Sequence, residues 1–452
     1  MSKVVKFGGS SLASAEQFKK VGNIIRADKE RKYVVPSAPG KRFSDDTKVT
    51  DMLYACYDLA DQGKSFKAEL DAIKARYQEI IDGLQLELDL GEEFKTIEKN
   101  FKAKTGNNYA ASRGEYLNGI IMANYLGYDF IDAATVIFFD ENGEFDAAKT
   151  NEVLRARLAE SKEAVVPGFY GAMPDGTVKT FSRGGSDITG SIVAKAAKAD
   201  VYENWTDVSG FLIADPRIID HPEAIETITY RELRELAYMG ATVLHEDAIF
   251  PVRQEGIPIN IRNTNAPEDN GTWIVGSTCQ KSKYVITGIA GKKGFCSVNI
   301  EKDMMNSEIG FGRKVLQAFE ENGISFEHVP SGIDTMTVFV HQDEFMHKEQ
   351  KVVAGTSCHG LPRRSMAGLH RLANPDTIDI ESDLALIAVV GRGMKSTRGT
   401  AGRIFSALAH KNINVKMIDQ GSSELNIIIG VANEDFETAI KAIYDIFVIT
   451  RL

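Results

Sequence analysis

Up to about Val275, short apolar runs alternate with longer stretches whose apolar positions recur three and four residues apart. Val4–Phe7, Tyr33–Val35, Ala164–Val166, Val201–Tyr202 and Ile257–Ile261 are β-branched runs and read as strands. Ala15–Arg31, Asp51–Gly63, Phe66–Leu84, Ala110–Leu126 and Asp187–Lys198 carry the helical period. Strands alternating with helices predict an α/β domain, a mainly parallel sheet between helices. The stretch Ala68–Lys104, rich in Glu, Lys and Leu, predicts a solvated helical pair.

The last third follows another rhythm. "GFGRKVLQAFEENGISFEHVPSG" (Gly310–Gly332) aligns without a gap on "GTAGRIFSALAHKNINVKMIDQG" (Gly399–Gly421), at an offset of 89 residues. Val315, Leu316, Phe319 and Ile324 fall on Ile404, Phe405, Leu408 and Ile413. Each copy predicts an amphipathic helix, a stop and a strand, and Met336–Val340 and Leu425–Ile429 add another strand to each. Leading strands are expected at Ile286–Ile289, Ser297–Ile300 and Leu384–Val390. The pattern is a pair of small α+β modules, since two copies are too few for a solenoid.

The net charge of −10 argues against bulk nucleic-acid or acidic-membrane binding. Cys56, Cys279, Cys296 and Cys358 are scattered without a C-x-x-C pair, which fits a reducing compartment and offers no zinc site. The opening residues read as a strand, and no apolar run is long enough to span a bilayer, so a cytoplasmic protein is expected.

Three glycine-bearing clusters draw attention. Lys6-Phe7-Gly8-Gly9-Ser10-Ser11 closes the first strand, but its lysine precedes the glycines, unlike a Walker loop, and the spacing excludes a G-x-G-x-x-G turn. Ser182-Arg183-Gly184-Gly185-Ser186-Asp187 runs into a helix whose free N–H groups suit an anion, with Arg183 adding a planar fork. Asp187 there is equally readable as an N-cap. Thr206-Asp207-Val208-Ser209-Gly210 and Asp215-Pro216-Arg217 suit a nucleotide site at a strand's C-terminal end, or plain turn chemistry.

Taken in order, "KFGGSS", Gly114-Glu115, "SRGGSDITGS", "WTDVSGFLIADPR" and "GATVLHEDA" resemble successive motifs of the aspartokinases in the amino-acid kinase superfamily. "GRGMKSTRGTAGRIFSALAHKNINVKMIDQGSSELNI" is similar to that family's second ACT domain. The resemblance implies an amino-acid kinase domain over 1–280. Two ferredoxin-like ACT domains would follow, at 281–375 (completed, in one variant, by the segment 433–452) and 376–452. It implies ATP-dependent phosphorylation of the L-aspartate β-carboxylate, the first step of lysine, threonine and methionine biosynthesis, with Mg²⁺ held mainly by the nucleotide phosphates. The chain leaves no room for a fused reductase, so a monofunctional kinase is expected.

Residue by residue, the resemblance makes Lys6 and Asp187 catalytic. It places the substrate among Ser37, Thr50, Glu115, Arg183 and Ser186, and the nucleotide among Lys6, Gly8, Gly9, Ser10, Thr206, Asp207, Asp215 and Arg217. Glu115 suits the substrate ammonium, or is a first-turn acid of its helix. Thr242 and Glu246 stand where the family motif has Lys and Pro, and Lys41, Arg42 or Lys48 of the longer 36–51 loop are candidate replacements for the missing cation. An inhibitory amino acid, lysine by charge, is expected at Met305, Gly310, Phe311, Glu327, Ser331 and Asp334. At the fixed offset, Glu327 and Asp334 face Lys416 and Ser423 in the second copy. A homodimer or homotetramer through the ACT domains is implied, without nucleic-acid or membrane partners. Two other readings remain open: another kinase of the superfamily (glutamate 5-kinase, acetylglutamate kinase or uridylate kinase), or an amino-acid sensor with a dead kinase domain.

Overall fold

The computed structural model describes residues 2–182, 184–241, 244, 248–278, 282–345 and 363–450. The chain divides into two units, one of Met1–Phe211, Ala224–Arg234 and Thr242–Cys279, the other of Leu212–Glu223, Glu235–Ala241 and Gln280–Leu452.

The first unit is built on an eight-stranded sheet. Its strands are β1 (Lys3–Phe7), β2 (Arg31–Pro36), β3 (Asp129–Phe130), β4 (Ala164–Val165), β7 (Val201–Thr206), β8 (Thr227–Thr229), β9 (Ile259–Asn263) and β10 (Thr272–Val275), while β5 (Tyr170–Ala172) and β6 (Val178–Thr180) form a separate hairpin. The order is β3-β4-β2-β1-β7-β9-β10-β8, and every neighbouring pair is parallel except β9 with β10. Helices α1 (Ala15–Arg26), α2 (Val49–Asp61), α3 (Lys67–Leu84), α4 (Gly91–Lys102), α5 (Asn107–Leu126), α6 (Ala147–Ala159), α7 (Gly185–Ala197), α8 (Tyr230–Tyr238) and α9 (Phe250–Glu255) complete this stretch of chain. The first helix stops at Arg26, because Arg31 already opens β2.

The helical pair predicted as solvated is solvated on one side only. Leu70, Ile73, Tyr77 and Ile80 of α3 and Phe94, Ile97 and Phe101 of α4 are buried in the same core as Val5, Phe7 and Trp205. Arg76 of α3 is buried too, and its guanidinium donates to the carbonyls of Ala13 (3.1 Å) and Gly40 (2.9 Å) and to Asp46 (2.8 Å). This pair of helices therefore holds the loop that lies over the first glycine turn.

The second unit carries a six-stranded antiparallel sheet, ordered β12-β13-β11-β14-β16-β15. Its strands are β11 (Gly288–Glu301), β12 (Phe326–His328), β13 (Thr335–His341), β14 (Thr377–Val390), β15 (Met417–Asp419) and β16 (Asn426–Ala432). The helices are α10 (Phe311–Glu321), α11 (Arg363–Ala373), α12 (Thr400–His410) and α13 (Phe436–Tyr444). The two leading strands expected near 286 and 297 are one strand, bent at a bulge where Gly294 has φ 91°.

β11 and β14 pair from Gly288↔Val390 to Glu301↔Thr377, so each serves both modules. The first module uses the C-terminal half of β11 and the N-terminal half of β14, with β12 and β13. The second uses the other halves, with β15 and β16. The segment 433–452 does not complete the first module. Phe436 packs on Gly291, and Lys293 reaches Glu437, so α13 covers the second. The 89-residue offset holds through the helices, Gly310 and Gly399 both capping with φ near 80°. The following strands start 91 residues apart, at Phe326 and Met417 and at Thr335 and Asn426. Pairing nevertheless sets His328 opposite Phe339 and Met417 opposite Gly430, so Glu327 keeps Lys416 as its counterpart, whereas Asp334, next to the last strand, has Leu425, not Ser423.

A side chain at the bulge meets no neighbour but must adopt a left-handed backbone. Gly294→Ala is expected to cost about 1–2 kcal/mol, read as a lower urea midpoint for the second unit with an unchanged m-value.

Candidate active site

The centre of the site follows from strand register. Lys6 on β1 and Asn204 on β7 are partners in a parallel pair, so their side chains stand together on one face of the sheet. Helix α7 lies on that face and brings the Asp187 carboxylate to both. Oδ1 of Asp187 is 2.5 Å from Lys6 Nζ and accepts from Asn204 Nδ2 at 2.8 Å. The Tyr202 hydroxyl, two residues along the same face, donates to the Asp187 carbonyl at 3.1 Å. Asp187 is not the N-cap, a place taken by Gly184, but sits in the first turn with its carboxylate turned to the sheet. Lys6 is 7% exposed, and a buried cation of this kind needs its partner. Asn204 escaped the sequence reading because an Asn inside an apolar strand has no motif; its register with Lys6 was the available signal.

Beside this cluster, β1 ends in the glycine turn. Gly9 and Gly40 touch: Gly40 N–H donates to Gly9 O at 2.8 Å, and a Cβ on Gly40 would lie 2.6 Å from Gly9 C. Gly8 cannot offer its N–H to a phosphate, since that group donates to Trp205 O at 3.0 Å and knits β1 to β7. Gly9 and Ser10 open a 3-10 turn, whose first N–H groups point out of the turn. Ser37 N–H donates to Phe7 O, while the Ser37 carbonyl accepts from Asn118. Thr50 Oγ1 lies 3.8 Å from where a Gly114 Cβ would stand, and Ser186 Oγ abuts Gly168. Arg183, Thr242 and Glu246 lie outside the described residues.

Glu115 is in the interior of α5, not at a helix start, and is 6% exposed. Burial pushes its carboxyl up to about 8, against the pull of the Ala38 N–H, its own N–H and Arg113. Oε2 is buried without a hydrogen-bond partner. An orphaned acceptor of this kind beside Thr50 and Ala38 suits an incoming ammonium group.

A family model described as the amino acid kinase family matches residues 1–263, and an ACT domain model matches 387–447. Aspartokinase 3 of Bacillus subtilis (strain 168) is 40% identical over 459 residues, 98% of this chain and 98% of the relative. The chain belongs to the aspartokinases of the amino acid kinase family. An aspartate kinase from Clostridium acetobutylicum shares 50% identity and superposes with TM-score 0.88, covering 98% of this chain and 99% of that one. Aspartokinase III of E. coli, in complex with aspartate and ADP, has the same fold at 24% identity and TM-score 0.71, with 99% of each chain covered.

The remaining positions of this aspartokinase divide. Thr206 ends β7 and its Oγ1 donates to the exposed Asp207 at 3.2 Å. Asp215 and Arg217 fall in the second unit and pair with each other, Arg217 Nη2 lying 2.5 Å from Asp215 Oδ2. This pairing, led by the side-chain hydrogen bond, holds the Asp215 carboxyl below its usual value. Arg42 is committed to Asp46 and Glu79, and Lys41 to Ser44 O, so neither is a ready substitute for a missing cation.

In the ACT pair, the Met305 and Phe311 side chains are core. The N–H groups of Met305, Ser307, Glu308 and Phe311 already donate to carbonyls of their own loop. They cannot take an effector carboxylate, which leaves the first turn of α10 after Gly310. Lys302 N–H donates to Asp334 O at 2.9 Å, joining this loop to the exposed turn of Ser331 and Asp334. Glu327 is turned inward, 3.3 Å from His341 Nε2 and hydrogen-bonded by the Tyr238 hydroxyl.

Asn204→Ala removes one hydrogen bond to a charged group, worth about 1.5–3 kcal/mol. A fall in kcat of roughly 10–100-fold, with both KM values within about twofold, is expected in steady-state kinetics; unchanged kcat would remove Asn204 from the site. Glu115 makes a pH prediction. A folded value of about 8 over an ordinary 4.5 means that the folded protein holds this proton more tightly. Its contribution to stability is present below 4.5 and is lost as pH rises through 8. KM for aspartate is expected to fall as pH climbs from 6 to 9, because pairing with an ammonium requires the ionised form. Glu115→Gln is expected to flatten that profile, raise KM and unfold at higher temperature than wild type at pH 9.

Proposed function

We propose that this aspartate kinase transfers the γ-phosphoryl group of ATP to the β-carboxylate of L-aspartate through the Lys6–Asp187–Asn204 cluster. That cluster, beside the glycine turn and at the N-terminus of α7, is the observation that carries the reading. A β-carboxylate oxygen attacks the γ-phosphorus, the O–P bond forms, the bond to the β-phosphate oxygen breaks, and ADP leaves. The nucleophile is ionised at neutral pH and needs no general base. The protein's work is to position the two anions and offset developing charge, which Lys6 and the helix N-terminus supply. Asp187 and Asn204 keep the Lys6 ammonium in place.

Glu115 receives the substrate ammonium, Arg183 a carboxylate, and Ser37, Thr50 and Ser186 the remaining polar atoms. Gly9, Ser10, Thr206 and Asp207 face the nucleotide. Mg²⁺ would be held mainly by the nucleotide phosphates and water, where it would offset phosphate charge. Among the described residues no three metal-ligating side chains converge. The reaction would open lysine, threonine and methionine biosynthesis in the cytoplasm.

We further propose lysine as the inhibitor. Its carboxylate would meet the first turn of α10, and its ammonium groups would meet Asp334 and Glu327, where the second module carries Leu425 and Lys416. Met304, Ile309 and Ile333 are 68%, 99% and 69% exposed around that loop. An apolar patch of this kind supports a homodimer, or a homotetramer built from it, with the effector near the contact.

Lys6→Ala is expected to cut kcat at least 100-fold, on the scale of a lost transition-state donor, in an ADP-release assay with aspartate. Activity with glutamate or N-acetylglutamate exceeding that with aspartate would overturn the substrate assignment. Asp334→Ala is expected to weaken lysine binding at least tenfold by calorimetry with kcat unchanged; unaltered affinity in both Asp334→Ala and Glu327→Ala would remove this effector site.

A further inference from the structure

We propose a second small-molecule site in the first unit, behind helix α7, for an organic anion with an apolar body. A cavity of about 720 Å³ opens there between α6, α7 and α9. That volume falls within the ~300–1,000 Å³ range of ligand pockets. Phe145, Phe181 and Ile249 contribute apolar walls, and α7 supplies the floor through Ile188, Ile192 and Lys195. These three positions are spaced i, i+4, i+7 and form a single stripe along the helix.

The charge of the lining selects the ligand. Lys195, Arg234 and Arg253 stand against Glu144 among the lining residues, an excess of two positive charges on a chain of net charge −10. Lys195 donates to Gln254 at 3.0 Å and lies 3.5 Å from Glu255, and Arg234 also has a partner within the fold. Arg253, exposed on the last turn of α9, is the guanidinium placed to receive a carboxylate, sulfonate or phosphate. Phe250 at the rim is 63% exposed, so an aromatic or branched aliphatic body has a surface to cover.

This site does not use Lys6, Glu115 or any residue assigned to aspartate or nucleotide. It is nevertheless tied to them through one helix, because Ile188 follows Asp187 directly. The opposite side of α7 lies against Tyr202, where a Cβ on Gly190 would be 2.4 Å from the hydroxyl. Pressure on the Ile188–Ile192 stripe therefore bears on a helix with little room to retreat, and occupancy is linked to the position of Asp187.

The test uses the full-length protein and 8-anilinonaphthalene-1-sulfonate, a fused-ring sulfonate, followed by calorimetry and fluorescence. One saturable site per chain, with Kd on the order of 10–100 µM, is expected. Arg253→Glu, an exposed change that leaves the melting temperature unaltered, should weaken it at least tenfold, and Ile192→Trp should fill the cavity. Ile309→Lys, on the exposed patch of the other unit, should leave it intact. Equal binding in wild type and Arg253→Glu, or binding lost in Ile309→Lys, would overturn the site. So would sedimentation showing that Arg253→Glu abolishes self-association instead of probe binding, because a second copy would then cover this face. Saturating probe should change kcat or the aspartate KM at least twofold in wild type and not in Arg253→Glu; bound probe with unmoved kinetics would overturn the coupling. Calorimetric binding is read without turnover, so a failure here is separate from a failure of the phosphoryl-transfer reading.

Discussion

The register between β1 and β7 is the constraint on which the active site depends. It sets Lys6 beside Asn204 on one face and Phe7 against Trp205 on the other, where the rings stack at 5.9 Å. A slip of β1 by one residue would exchange its faces, burying Lys6 in an apolar core and turning the Phe7 ring toward Asp187. The aromatic stack and the polar cluster thus enforce the same register from opposite sides. The Gly8 N–H adds to it by closing on Trp205 O. A group with the sequence position of a phosphate donor is here part of the frame that holds the glycine turn.

Much of the fold was legible because its signals are local. Helical periods, β-branched runs and the repeated Gly310 and Gly399 caps are readable within a dozen residues, and the helices fall where those patterns place them. The proposed catalytic pair is legible only through motifs, since Lys6 and Asp187 are far apart in the chain and meet by tertiary packing. Asn204 had neither a motif nor a local pattern. Its role exists only once β7 is laid against β1.

The effector region shows the opposite failure, in which a correct pattern was extended too far. An ungapped alignment carries the helix offset into a last strand that follows two residues later in the second module. That offset sets Asp334 against Ser423 in place of Leu425. Met305 and Phe311 flank the loop expected to hold the ligand, yet both side chains pack into the module's core, Phe311 in helical spacing with Val315, Ala318 and Phe319. The loop's N–H groups looked available in sequence, but a tight loop satisfies its own donors before any ligand arrives.

The division of β11 and β14 between two modules has a consequence for the making of the protein. The second module borrows its edge strand from residues 288–293, which leave the ribosome long before the β14 half that pairs with them. Until then a stretch of Ile, Ala and Gly waits as an open sheet edge, a template for any stray strand. Lys292 and Lys293, in the midst of that edge, are the charges natural sheets use against such encounters. A protein that shares strands in this way gains a continuous sheet, but neither module can be cut out of the gene as one uninterrupted piece.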